Sequence, residues 1–174
     1  GCYRLHNTRC KLCQVLMESD SFTSSVTGRT YKIKDSINCV SKGVIYLITC
    51  GDCKKQYVRR ETGTVFSVRH YGHRSDITKK PFLPLSKHFN QDNCSFNNIS
   101  IIGIKVSKVD TKARKQREGW WQHQLRTSQP LGMNNREESF VKHVMHYLLS
   151  FIYMRLIRKF LDKKTTECLV HAFI

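Results

Sequence analysis

Two tyrosines, an arginine and a histidine stand where the chain can gather them into one site. Tyr46 lies in the apolar run Val44 to Thr49, and Tyr57 in a second short β-like piece, Gln56 to Val58. Between them is Cys50-Gly51-Asp52-Cys53, a turn composition, so the stretch reads as a β-hairpin that sets the two tyrosines on paired strands. Thr64 to Ser75 reads as a helix carrying Arg69 and His73, four apart and so on one face. Such groups suit phosphate chemistry: a guanidinium grips phosphate oxygens with its planar fork, and phenols and imidazole orient or move protons. Two tyrosines on a hairpin are more often plain core residues, and only their register with the helix raises them above that.

The composition says what such a site would meet. Among 174 residues, 30 Lys and Arg stand against 13 Asp and Glu, a net charge of +17. So basic a chain predicts a polyanionic partner, most simply nucleic acid, ahead of an acidic protein or a membrane surface. Hydrophobic residues, at 40%, are enough for a domain of this length to build a core. Residues 1 to 30 contain no apolar signal segment, so the chain reads as not secreted. The longest uncharged run near the C-terminus, Val144 to Met154, covers about half of the roughly 20 residues a bilayer requires, and no membrane partner is expected. The opening glycine reads as the start of a piece cut from a longer product.

Three segments must position these groups. Residues 1–42 form a Cys-rich basic extension with one β-like patch, Arg29 to Ile33, packed on the core. Residues 43–136 form the central domain, and residues 137–174 a helical tail whose core-like spacing runs from Phe140 to Leu161. In the centre, the helix Thr64 to Ser75 is expected to turn Val65, Val68 and Tyr71 or Gly72 inward. A proline-marked loop and a short helix, Leu85 to Phe89, follow. Ile99 to Ser107 is β-branched and reads as a third strand; Thr111 to Arg126 reads as a helix with Trp120, Trp121 and Leu125 available for burial. The fold class is therefore α/β, a small three-stranded antiparallel sheet flanked by helices.

Eight cysteines in a chain without an export signal favour metal binding or free thiols over a disulfide framework. Cys10-x-x-Cys13 and Cys39 supply three of the four ligands that structural zinc requires, with Cys2 and His6 nearby and the fourth unassigned. Unliganded thiols are the alternative. Cys50 and Cys53 offer a second pair at the hairpin turn, to be completed by two ligands from elsewhere or left as buried thiols.

The motifs carry a resemblance. Val44-Ile45-Tyr46, then Tyr57-Val58-Arg59, Thr62, Arg69 and His73, followed by Arg117-Glu118-Gly119-Trp120-Trp121 and Pro130-Leu131-Gly132-Met133-Asn134, resemble the GIY-YIG nuclease module. With the cysteine pair between the tyrosine motifs and HRSDI and PLSKHF after them, the chain from about Cys10 to Asn134 is most similar to the endonuclease domain of Penelope-like retroelements. It departs from the family at Arg59-Arg60, where the motif has glycine; this is a substitution plus one added residue, which a bulge could absorb or which could displace Tyr57.

The resemblance implies a metal-dependent DNA endonuclease that nicks target DNA, with a catalytically decayed, zinc-stabilised nucleic-acid-binding domain as the alternative. Glu118 would hold Mg2+ or Mn2+. Tyr46 and Tyr57 would bracket the attacking water, with Tyr46 as general base only if cationic neighbours lower its pKa. Arg69 would hold the scissile phosphate, His73 would relay the proton, and Asn134 would fix backbone groups. Arg59, Arg60 and Arg74 would contact the DNA backbone. The family's Cys-Cys-His-His pattern makes His73 and His88 the zinc partners of Cys50 and Cys53, in conflict with a catalytic His73, and His70 is the spare. The resemblance further implies a reverse transcriptase domain on the same parent polypeptide and action in the nucleus.

Overall fold

The computed structural model describes residues 1–60, 63–107 and 110–135. Thr62 and the tail helix expected over 140–161 lie outside them. Among the described residues, nine elements follow in chain order: α1 (Lys11–Val15), β1 (Ser21–Thr23), β2 (Thr30–Lys32), β3 (Val44–Cys50), β4 (Gln56–Arg60), α2 (Phe66–Lys79), α3 (Pro84–Phe89), β5 (Ile99–Val106) and α4 (Thr111–Leu125).

The central sheet is antiparallel throughout, in the order β4-β3-β5. β3 is its middle strand and is covered on both faces, which is why it reads as an unbroken apolar run and not as an alternation. β4 continues past Val58, so Arg59 and Arg60 belong to the strand. Its ladder with β3 runs without interruption from Ile45 opposite Arg60 to Thr49 opposite Gln56. The irregularity in the sheet sits on the other side of β3, between Ile45 and Tyr46 where they pair with β5. A bulge at Arg59-Arg60 is thus not how the strand takes up those residues.

The extension of residues 1–42 is sewn to β5. The Met17 N–H donates to the Ile101 carbonyl (2.7 Å), and the Asp35 carboxylate accepts from the Val106 N–H (2.8 Å) while pairing with Lys105 (3.0 Å). Ile37 presses so closely on β5 that a Cβ at Gly103 would collide with it. β1 and β2 pair with each other, and Phe22, Tyr31 and Trp121 pack edge and face at centroid distances of 5.3 to 5.5 Å.

Two helices flank the site. α2 buries Phe66, His70 and His73, so the face expected from apolar periodicity is the wrong one: Val68 and Tyr71 are exposed. Its first free N–H groups, on Phe66 and Ser67, donate to the carbonyls of Ser41 and Cys39. α4 starts at Asp110, whose carboxylate caps the Ala113 N–H (2.8 Å). It ends at Arg126 in the left-handed region, and it turns Glu118, Gln122 and Leu125 inward. Trp120 is exposed, against the expectation of burial.

Candidate active site

Register explains how the tyrosines meet. Tyr46 stands opposite Arg59 and Ile48 opposite Tyr57, so Tyr46, Tyr57 and Arg59 all project from one face of the hairpin. α2 lies over that face. Phe66 packs on the Tyr46 ring with centroids 5.0 Å apart, and about two turns later the His73 ring meets both tyrosines at 5.8 and 6.1 Å.

The Tyr46 hydroxyl is 2.5 Å from His73 Nε2. Burial pushes the Tyr46 phenol above its ordinary range, although Arg69 opposes the shift. Burial also drives the His73 pKa well below 6.5, with the cations Arg69 and Arg59 adding to it. His73 is therefore neutral and Tyr46 protonated, and the two share one hydrogen bond whose direction the imidazole tautomer sets. The raised phenol runs opposite to the lowering that a Tyr46 base needs.

Arg69 reaches Asp76 at only 3.9 Å, and its Nε is buried with no acceptor. A buried guanidinium N–H without a partner costs free energy until an anion arrives. Arg74, on the same helix, is exposed. His70 is not a spare for His73: it stacks on Phe96 at 5.9 Å, away from the tyrosines, and burial lowers its pKa to about 4.

Glu118 is 3% exposed and fully engaged. One oxygen meets Arg60 at 2.5 Å; the other lies 3.5 Å from Arg59 and 3.3 Å from the Gln122 amide. Arg59, Arg60 and Lys115 line the small cleft around it, and Glu118 is the carboxylate among the lining residues. Mg2+ and Mn2+ ask for several oxygen donors and tolerate neighbouring cations poorly. The residues as arranged do not fit such an ion, because Arg60 already sits on the carboxylate that would bind it. Lys115 and Gln122 had no signal in the sequence, since both act through α4's approach to β4.

Asn134 has a definite task. In an antiparallel ladder every second residue turns its N–H and C=O outward, and Val58 on β4 is such a residue. The Asn134 side chain answers both groups, accepting from the Val58 N–H and donating to its carbonyl, each at 2.9 Å. The Met133 N–H donates to the Gln56 carbonyl beside it.

At the opposite end of the hairpin, Cys50, Cys53, His88 and Cys94 bring their ligand atoms within 4.8 Å of one another. Lys54 with positive φ makes the tight turn, α3 presents His88, and the Asp52 carboxylate holds the loop of Cys94 by accepting from Ser95 N–H (2.9 Å) and Asn98 (2.6 Å). Burial and the neighbouring thiols push Cys94 up to about 12. Three sulfurs and one imidazole at this spacing form a donor set that fits tetrahedral zinc. The fourth member is Cys94 and not His73, which is committed to Tyr46. A cysteine in a turn-like stretch rich in Asn, Asp and Ser was the available signal.

No family model matches the chain, and no curated protein does. Among solved structures, the catalytic domain of the homing endonuclease I-TevI is similar at 21% identity over 53% of this chain and 96% of that domain, with a TM-score of 0.43. A likeness of that size leaves the case to the strand register and the side chains themselves.

Proposed function

We propose that this domain binds the phosphodiester backbone of DNA at the cleft between β4 and α4, beside the tyrosine face that α2 covers, and hydrolyses it as an endonuclease. The observation that supports this best is the Arg69 guanidinium, whose buried Nε has no acceptor while its charge acts on the Tyr46–His73 pair. A phosphate oxygen is the partner it is shaped for. Arg59 faces the same tyrosines from β4. In this reading the two arginines hold the phosphate and offset charge growing in the transition state. Tyr46 and Tyr57 orient the attacking water, and its proton passes through the Tyr46 hydroxyl to His73 Nε2 as the new P–O bond forms and the ester P–O bond breaks. The departing oxygen takes its proton from solvent.

A second reading is favoured by the Arg60–Glu118 pair: a domain that binds DNA without turning it over. Nicking of supercoiled plasmid with Mg2+ or Mn2+ separates the two, run beside Arg69→Ala and a variant with Arg59→Gly and Arg60 deleted. Nicking by the parent that is lost in a folded Arg69→Ala supports the enzyme. Nicking by the repaired chain alone supports the binding domain, and a folded but inert pair of chains would refute catalysis at this site. A nicking role for a retroelement, a reverse transcriptase on the same polypeptide and action in the nucleus are further parts of the proposal, resting on the motif resemblance.

A further inference from the structure

A second group of sulfurs lies outside the hairpin. Cys10 caps α1, Cys13 sits in its first turn and Cys39 precedes β3; their sulfurs lie within 4.8 Å of one another, all three are buried, and none is in a disulfide. The Cys13 N–H donates to the Cys10 carbonyl (3.1 Å), which holds the Cys-x-x-Cys pair at a metal-binding bite.

The loop before α1 is tied to this group: the Asn7 carbonyl accepts from the Cys10 N–H (3.0 Å). Beside it His6 takes a φ of 49°, a strained value for a residue with a side chain. The strained residue is itself a histidine, its ring exposed and in only a long 3.9 Å contact with Glu18.

We propose that Cys10, Cys13 and Cys39 bind a zinc ion, with His6 turning its imidazole inward as the fourth ligand. Binding releases the thiol protons to solvent as the Zn–S bonds form. The site has a positional consequence. The Cys39 carbonyl accepts from the Ser67 N–H (3.0 Å) at the start of α2, so the ion ties α1 to the loop that anchors the helix bearing Arg69 and His73.

The test is the zinc content of the whole purified chain by atomic absorption. The parent should hold two ions, Cys13→Ser one, Cys94→Ser one, and the double variant none. His6→Ala should keep the ion at saturating zinc but weaken it at least about tenfold in chelator competition, the lower end of the loss typical for groups around a metal. A parent with one ion, unchanged by Cys13→Ser, would overturn the site; unchanged affinity in His6→Ala would overturn the fourth ligand. Should Cys13→Ser fail to fold, alkylation of the parent mapped by mass spectrometry decides: chelator must expose Cys10, Cys13 and Cys39 to labelling, and equal rates with and without it count against zinc. These outcomes are independent of whether the chain cuts DNA.

Discussion

The two ends of the β3–β4 hairpin solve opposite electrostatic problems. At the turn, Cys50, Cys53, His88 and Cys94 crowd donors that await a cation. At the open end, Glu118 already has its cations, supplied by Arg59 and Arg60 as side chains. The contrast shows that a ligand-like residue calls for a metal only where the chain has not neutralised it. It also separates a structural metal, which the donor set at the turn would fit, from any catalytic metal, which would have to compete with Arg60.

The largest effect should come from emptying the turn. With zinc at about a thousandfold its dissociation constant, chelation should lower unfolding free energy by about 4 kcal/mol. Urea titration with and without chelator measures this as the part of the chelator's effect that Cys94→Ser removes, the ion at Cys10, Cys13 and Cys39 accounting for the rest. At the other end, Glu118→Ala leaves Arg60 uncompensated in a mostly buried position and should cost about 3 kcal/mol in the same titration. Arg60→Met leaves the buried Glu118 with Arg59 at 3.5 Å as its cation, so it should also destabilise the fold, and it should free one carboxylate oxygen, so that Mn2+ binding, read by electron paramagnetic resonance, appears where the parent has little. Equal Mn2+ binding by both chains would erase the contrast. Arg69→Ala should slow any nicking by roughly 10² to 10³, about 3 kcal/mol of barrier, while leaving the zinc content alone. Asn134→Ala strands the Val58 N–H and C=O and should cost about 2 kcal/mol of stability.

The smallest effect is a slope with pH. His70 has a folded pKa of about 4 against an ordinary 6.5, so below pH 6.5 the unfolded chain takes up a proton that the folded chain refuses. Stability from this group is complete above pH 6.5 and lost as pH falls towards 4. Its share of the slope is at most about 1.4 kcal/mol per pH unit. His70→Phe should flatten that part of the stability curve.

The hairpin and β5 were legible in the sequence because β-branched runs bounded by turn residues leave little else for the chain to do. α4 was also legible, but the inward face of α2 was not. Periodicity pointed to Val68 and Tyr71, whereas the buried positions are filled by Phe66 and two histidines, polar residues that a hydrophobic pattern discounts. α1 and β1, with five and three residues, are too short to show a period. At the site, Tyr46, Tyr57, Arg69 and His73 could be named from local spacing. Arg60 on Glu118, 58 positions apart in sequence, and Cys94 beside Cys53 depend on how distant segments pack, which no local signal carries.

The Asn134 amide, seen from outside the molecule, is a stopper. It occupies the outward N–H and C=O of Val58, and across the sheet Met17, Cys2 and Asp35 occupy outward groups of Ile101, Gly103 and Val106. A three-stranded sheet with open margins would template the strand of a neighbouring copy and polymerise. Among the described residues, these groups on both margins of the central sheet are taken by side chains and by the extension, which hinders a neighbouring copy from adding a strand there.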